Sequence, residues 1–126
     1  MTWTLVHDRN AFMAELIHAA ETDPEAALEL GDRASEVSRL FGDEEGLLLS
    51  LRHRWMTMLV AKLDQAAHED VPAQQARAHL AAAEPGLHAL VDLAARRSLR
   101  VRSLSRGEQR AMDVFGGSPG DRQTVA

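Results

Sequence analysis

The stretch that decides the fold runs from Asp43 to Asp70 and reads DEEGLLLSLRHRWMTMLVAKLDQAAHED. Its apolar residues recur at the spacing of an α-helix, on a centre line made of Leu48, Leu51, Trp55, Leu59 and Ala66. Asp43 is suited to cap the free amides of the first turn, and a helix over 44–69 would be about 40 Å long. A helix that is apolar over so much of its circumference needs neighbours on two sides. The stretch therefore predicts the central helix of an all-α bundle.

Proline, glycine and capping residues divide the neighbouring sequence into shorter helices. Periodic apolar residues predict one helix over 10–21 and a second that begins after Asp23 and ends at Gly42. Pro72 and Pro85 each begin a further helix. Together with the central helix, these segments predict a bundle of four to five helices.

The segments near the two ends of the chain have weaker patterns. Residues 2–6 are short and β-prone, which predicts an extended arm whose Trp3 docks on the bundle. Residues 98–104 keep no regular apolar period and fit either a frayed helix or an extended connector. The run from Ser105 to Glu108 has the pattern of a capping box and predicts a short last helix through Phe115.

Length and composition fit one folded domain. We predict a single helical domain over 1–115 and a flexible tail over 116–126, where glycine, serine and proline are concentrated. The chain has no cysteine, which excludes disulfides, thiolate zinc sites and a cysteine nucleophile. No apolar run approaches the roughly 18 residues of a membrane span, so the sequence predicts a cytoplasmic protein without a membrane partner.

No group of residues has the spacing of a recognisable reactive or metal site. The six histidines include no His-x3-His pair and no HExxH motif. The acidic run at 43–45 is explained by the start of a helix, where negative charge is favourable. The sequence therefore predicts no metal and no cofactor, and it favours a non-catalytic protein over an enzyme.

The net charge of −5 is unevenly distributed along the chain. Residues 1–45 hold 11 acidic against 3 basic side chains, whereas the remainder holds 8 acidic against 11 basic ones. The basic residues are concentrated in an arginine cluster formed by Arg96, Arg97, Arg100, Arg102, Arg106 and Arg110. We expect the first four to pair with the acidic first two helices, across the bundle or across a dimer. The alternative is contact with nucleic-acid phosphates.

Arg52 is the single most informative residue, because it interrupts the apolar face of the central helix. A charge at such a position must be paired, stacked on an aromatic ring, or directed into a cavity. The first interpretation is an ion pair with a glutamate of the first two helices, with the arginine stem packed on Trp55. The second is a site for a small anion or another small ligand at Arg52 and Trp55.

The run Leu51-Arg-His-Arg-Trp55, with Leu59 and Leu63, and the Ala-Glu-Pro-Gly-Leu break at 83–87 carry a resemblance. Over about 47–93, the chain resembles a group of small, uncharacterised helical proteins of high-GC bacteria. The resemblance implies the same helical fold and carries no function.

These observations favour a non-catalytic helical interaction or scaffold protein that self-associates, most simply as a homodimer. The reason is that the central helix has a broad apolar arc and few helices to cover it. A nucleic-acid-associated regulator that uses the arginine cluster, and a small-ligand binder at Arg52 and Trp55, are the two alternatives.

Overall fold

The computed structural model describes residues 2–115, and within this range the chain consists of seven α-helices and one 3-10 turn. The helices are α1 (Trp3–Ala20), α2 (Pro24–Ala27), α3 (Ala34–Phe41), α4 (Glu44–His68), α5 (Ala73–Ala83), α6 (Pro85–Arg97) and α7 (Leu99–Phe115). The 3-10 turn, Gly31–Arg33, lies between α2 and α3. The predicted all-α bundle around a long central helix is confirmed, while the tail predicted at 116–126 lies outside the described residues.

The central helix forms as its sequence predicts. The Asp43 carboxylate accepts a hydrogen bond from the Gly46 amide at 2.7 Å and so caps the first turn of α4. The inner face of α4 buries Leu47, Leu51, Trp55 and Leu59. The other central element is α6, which packs against α1, α2, α4, α5 and α7 and buries its own apolar face.

The first helix is longer than predicted, and the expectation of an extended arm at 2–6 is wrong. Thr2 provides the reason, because its hydroxyl accepts a hydrogen bond from the Leu5 amide at 3.2 Å and caps a helix that starts at Trp3. Trp3 does not dock on the bundle. Its side chain is 81% exposed and stacks only on His7.

The segment between Asp23 and Gly42 is not the continuous helix that its apolar stripe predicts. It is divided into α2, the 3-10 turn and α3. Arg33, which ends the 3-10 turn, lies over the Phe12 ring at 4.1 Å and pairs with Glu15 and Glu36. Gly42 ends α3 at a φ of 86°, a conformation that glycine adopts without strain.

The C-terminal helix starts earlier than the capping-box pattern predicts. Ser98 caps α7, since its hydroxyl accepts a hydrogen bond from the Val101 amide at 3.3 Å. Residues 99–104 are therefore helical, and the predicted start at Ser105 is wrong. The last helix is consequently longer than the short helix that the sequence predicts.

Helices α1 and α6 pack closely because Gly86 has no side chain. A Cβ atom at this position would lie 2.1 Å from the carbonyl oxygen of Ile17, inside van der Waals contact. Helix α4 also packs on α6, but α1 and α4 make little direct contact with each other. This arrangement leaves a groove between α1 and α4. In the part of the chain that the structure describes, no helix is long and apolar enough to cross a membrane.

Candidate functional site

A cluster of polar side chains, three of them buried and one half-buried, lies where α4, α5 and α7 meet. Its members are Arg52 and Trp55 on α4, Arg77 on α5 and Glu108 on α7, and we call it the Glu108 cluster. Arg52 is 4% exposed and Glu108 is 8% exposed, so both charges are removed from bulk water. Burial of this kind is costly unless each charge is paired and hydrogen-bonded.

Three donors converge on the single carboxylate of Glu108. Arg52 Nη1 donates to Oε1 at 2.5 Å, and Trp55 Nε1 donates to the same oxygen at 3.2 Å. Arg77 Nε donates to Oε2 at 2.8 Å, and its guanidinium lies 5.7 Å from the centre of the Trp55 ring. The second Arg52 nitrogen, Nη2, donates to the carbonyl oxygen of Leu104 at 3.1 Å. The cluster thus joins α7 to the α4–α5 pair.

The electrostatics of the cluster favour the ionised form of Glu108. Burial alone would raise the pKa of Glu108, but hydrogen bonds and positive charge from Arg77 and Arg52 outweigh it and hold the pKa below its ordinary value. The cluster still contains two guanidinium groups for one carboxylate. Among the described atoms, the buried Nε of Arg52 has no hydrogen-bond partner.

The sequence correctly predicts an ion pair for Arg52, but it predicts the wrong partner. Arg52 forms a buried ion pair, but the acid comes from α7 instead of the first two predicted helices. The proposed ligand position beside Arg52 and Trp55 is occupied by the side chain of Glu108.

Sequence reasoning did not identify Glu108 as a site residue. A signal was present, since Val101, Glu108 and Met112 are all buried and fall at helical spacing within a basic segment. The spacing was not recognised because the predicted last helix began only at Ser105, so Val101 lay outside it.

Half of the arginine cluster makes contacts within the chain. Arg97 pairs with Glu44 at 3.3 Å, and Arg100 approaches Glu45 at 3.9 Å, so their expected pairing with the acidic half of the chain is confirmed. Their partners lie at the start of α4, which corrects the expectation that the first two helices would supply them. Arg102 instead donates to the carbonyl oxygens of residues 95 and 96 at the end of α6.

The other three members of the arginine cluster point to solvent. Arg96, Arg106 and Arg110 are exposed, and none of them has an ion-pair partner among residues 2–115. Arg106 and Arg110 lie about one turn apart on α7, and Arg96 lies in the last turn of α6; we call these three exposed arginines the α7 basic surface. It retains the charge that a phosphate-binding role would need.

The α1–α4 groove is the second feature with the shape of a binding site. It has a volume of about 860 Å³, and Phe41 of α3 also contributes to its wall. Its apolar surface comes from Val6, Met13, Phe41, Leu49 and Met58. Its polar surface comes from Ser50, Thr57 and Asn10 and from the cationic or imidazole side chains Arg9, His53 and Arg54.

The charge of the groove differs from that of the chain. None of the described residues that line it is acidic, although the chain as a whole carries a net charge of −5. Arg54 is partly buried there, and within residues 2–115 it has no ion-pair partner. The guanidinium of Arg9 is engaged by the Leu40 carbonyl oxygen. The groove is therefore an apolar surface with positive charge at its edge.

The protein is thus an all-α bundle that carries an internally paired buried charge cluster, the α7 basic surface and an open groove. Comparison of the chain with models of known protein families, with curated proteins and with solved structures finds no match. The resemblance to small helical proteins of high-GC bacteria therefore stays a prediction. Within the described residues, no three histidine, aspartate or glutamate side chains come together in a group that could hold a metal ion.

Proposed function

We propose that the protein is a non-catalytic interaction protein that self-associates as a homodimer in the cytoplasm. The observation that carries the proposal is Trp3, a tryptophan that stands 81% exposed on the first turn of α1. Tryptophan is enriched among the residues that dominate binding energy at protein interfaces, and each one offers about 150–250 Å² of contact area.

The arrangement of apolar surface supports a contact at α1 in preference to α4. Most of the broad apolar arc of α4 is covered by the chain itself, and Val60, at 58%, is the one large apolar residue of that helix that is exposed. Val6 lies one turn after Trp3 and is also exposed, so the start of α1 presents two apolar side chains together. In a two-fold dimer the same patch serves both copies.

The buried site supports a non-catalytic role. Glu108 is the carboxylate with the strongest set of partners, and its oxygens are fully engaged by Arg52, Arg77 and Trp55. The lowered pKa of Glu108 also opposes a role as a general acid near neutral pH. These groups hold helices together and leave no free donor–acceptor pair within the cluster.

Truncation of Trp3 should weaken self-association. We expect the wild type to sediment at twice its 13.8 kDa chain mass, and Trp3→Ala to weaken the dimer by about 30-fold or more, as the loss of an interface anchor does. Analytical ultracentrifugation over a wide range of concentrations measures both. The matched control is Leu99→Ala, which removes a 76% exposed side chain from α7 and should leave the dimer unchanged. A wild type that stays at 13.8 kDa at every concentration would refute the homodimer.

A second candidate function is a nucleic-acid-associated regulator that uses the α7 basic surface. The observation that favours it is that Arg96, Arg106 and Arg110 are exposed without ion-pair partners in the described range. Sequence-independent binding to phosphates needs this kind of available positive charge.

Salt dependence tests the second candidate. If the three arginines each neutralise one phosphate of duplex DNA, the slope of log K against log salt should be about −2.7. Replacing all three with glutamine should remove the binding and leave the fold intact, because none of them pairs within residues 2–115. Fluorescence anisotropy of a labelled duplex gives the slope. Absence of binding at about 50 mM salt would remove this candidate.

A further inference from the structure

We propose that the α1–α4 groove binds an acidic amphipathic helix of a partner protein. The inference does not depend on self-association, although Val6, which lies beside Trp3 in the proposed dimer patch, also lines the groove. Trp3, the anchor of the proposed dimer, is not among the residues that line the groove.

The shape of the groove suits a helix. Leu49, His53 and Thr57 line it from successive turns of α4, so it follows that helix for about 12 Å at 1.5 Å per residue. Helices α1 and α4 both pack on α6 while making little contact with each other. A further helix placed between them would complete the bundle and cover half-buried apolar side chains. Amphipathic helices bind such grooves through residues at i, i+3, i+4 and i+7.

The apolar surface of the groove can adapt to partner side chains of different shapes. Met58 on α4 is half-buried, and Met13 on α1, which is 7% exposed, contributes a small part of the opposite wall. Methionine side chains are flexible and polarisable, and they adapt to apolar groups of different shape.

The charge of the groove favours an acidic helix over a basic one. Arg54 lies partly buried at the groove without an ion-pair partner in the described residues, and no acidic side chain lines the groove. Glutamate or aspartate on the polar side of an incoming helix would supply the missing partner for Arg54 and a hydrogen-bond acceptor for His53. A basic helix would meet only like charge. Electrostatic complementarity of this kind sets partner choice and speeds association.

The probe is a synthetic 14-residue helical peptide with leucine at i, i+3, i+4 and i+7 and glutamate on its polar face. We expect it to bind the full chain, and a copy with lysine in place of glutamate to bind at least about 10-fold more weakly. A scrambled glutamate peptide, which cannot form the apolar face, should also lose binding. Anisotropy of the labelled peptides measures all three.

Variants of the protein locate the binding site. Arg54→Glu should weaken binding of the glutamate peptide by about 10-fold or more, and Arg54→Gln should weaken it by less. The matched control is Arg106→Glu, which reverses an exposed arginine on α7 that likewise has no described partner, and it should bind as the wild type does. Unchanged thermal unfolding shows that each variant is folded.

Several results would overturn the inference. Equal binding of the glutamate and lysine peptides, or of the scrambled copy, would show that the groove does not select an acidic helix. Full binding by Arg54→Glu would place the peptide elsewhere. If Arg54→Glu, which leaves Trp3 and Val6 in place, dissociates a wild-type dimer, the occupant of the groove is a second copy of the chain. By contrast, a monomeric wild type that binds the glutamate peptide refutes the homodimer and leaves this inference standing.

Discussion

Replacement of Trp55 by alanine should lower the free energy of unfolding by about 3–5 kcal/mol. Trp55 is 1% exposed, and its ring lies 5.4 Å from that of His88 on α6. The substitution removes a large apolar side chain from the centre of the bundle and leaves a cavity that the neighbours fill only in part. It also removes one donor from the Glu108 carboxylate.

Urea denaturation followed by circular dichroism measures this loss without relying on tryptophan fluorescence. The matched control is Trp3→Ala, because Trp3 is 81% exposed and its loss should change the monomer's free energy of unfolding by no more than about 0.5 kcal/mol. The control is measured at low concentration, where a dimer would not contribute. A Trp55→Ala variant as stable as the wild type would mean that Trp55 is not part of the core.

Replacement of Glu108 by alanine should be comparably damaging, at about 3–5 kcal/mol of unfolding free energy. The change leaves the Arg52 guanidinium buried without its counter-charge, and it also leaves the Trp55 indole N–H without its acceptor. Asp113→Ala is the control, since Asp113 is an exposed acid on the same helix that accepts only from Gln109. That variant should unfold almost as the wild type does.

A double variant separates the ion pair from general disruption of α7. Arg52→Ala combined with Glu108→Ala removes both charges, so the pair of substitutions should cost less than the sum of the two single ones. The expected coupling is about 1–3 kcal/mol. Additive losses would show that Arg52 and Glu108 stabilise the fold independently.

The same residue makes stability depend on pH. The pKa of Glu108 is lower in the folded chain than in the unfolded chain, so its contribution is present above the ordinary glutamate pKa of about 4.3. The contribution is lost as the pH falls through the lowered pKa. The difference in unfolding free energy between the wild type and Glu108→Gln should therefore stay constant from pH 7 down to the ordinary glutamate pKa and shrink as the pH falls below it. A difference that grows on acidification would contradict the lowered pKa.

Much of the fold could be predicted because its signals are local. Asp43 caps α4, Gly42 ends α3 and Pro85 starts α6, and each acts within one turn of its own position. The apolar line through Trp55 also reports directly on the buried face of α4. The predicted starts of the two helices that begin at Trp3 and after Ser98 were wrong. In each case a single hydroxyl caps a helix whose first turns have a weak apolar pattern.

The candidate sites were less predictable because they depend on contacts between distant segments. Arg52 and Glu108 are 56 positions apart, and the spacing of residues within one helix does not show which distant acid will approach. The α1–α4 groove is harder still to predict, since it results from two helices that share α6 as a neighbour but make little contact with each other. The sequence could predict that Arg52 needs a partner, but it could not predict which one.

The shared carboxylate of Glu108 also constrains how the chain can vary. Arg52, Trp55 and Arg77 depend on the same two oxygens, so a substitution at one of these positions changes what is tolerated at the others. Loss of Glu108 alone leaves the buried Arg52 cation without a counter-charge. Loss of Glu108 together with an apolar replacement of Arg52 removes that cation as well. Descendants of this sequence should therefore exchange the two residues jointly, and the order of the two steps should matter. The path that neutralises Arg52 first avoids an uncompensated buried charge, because Glu108 then keeps its ion pair with Arg77.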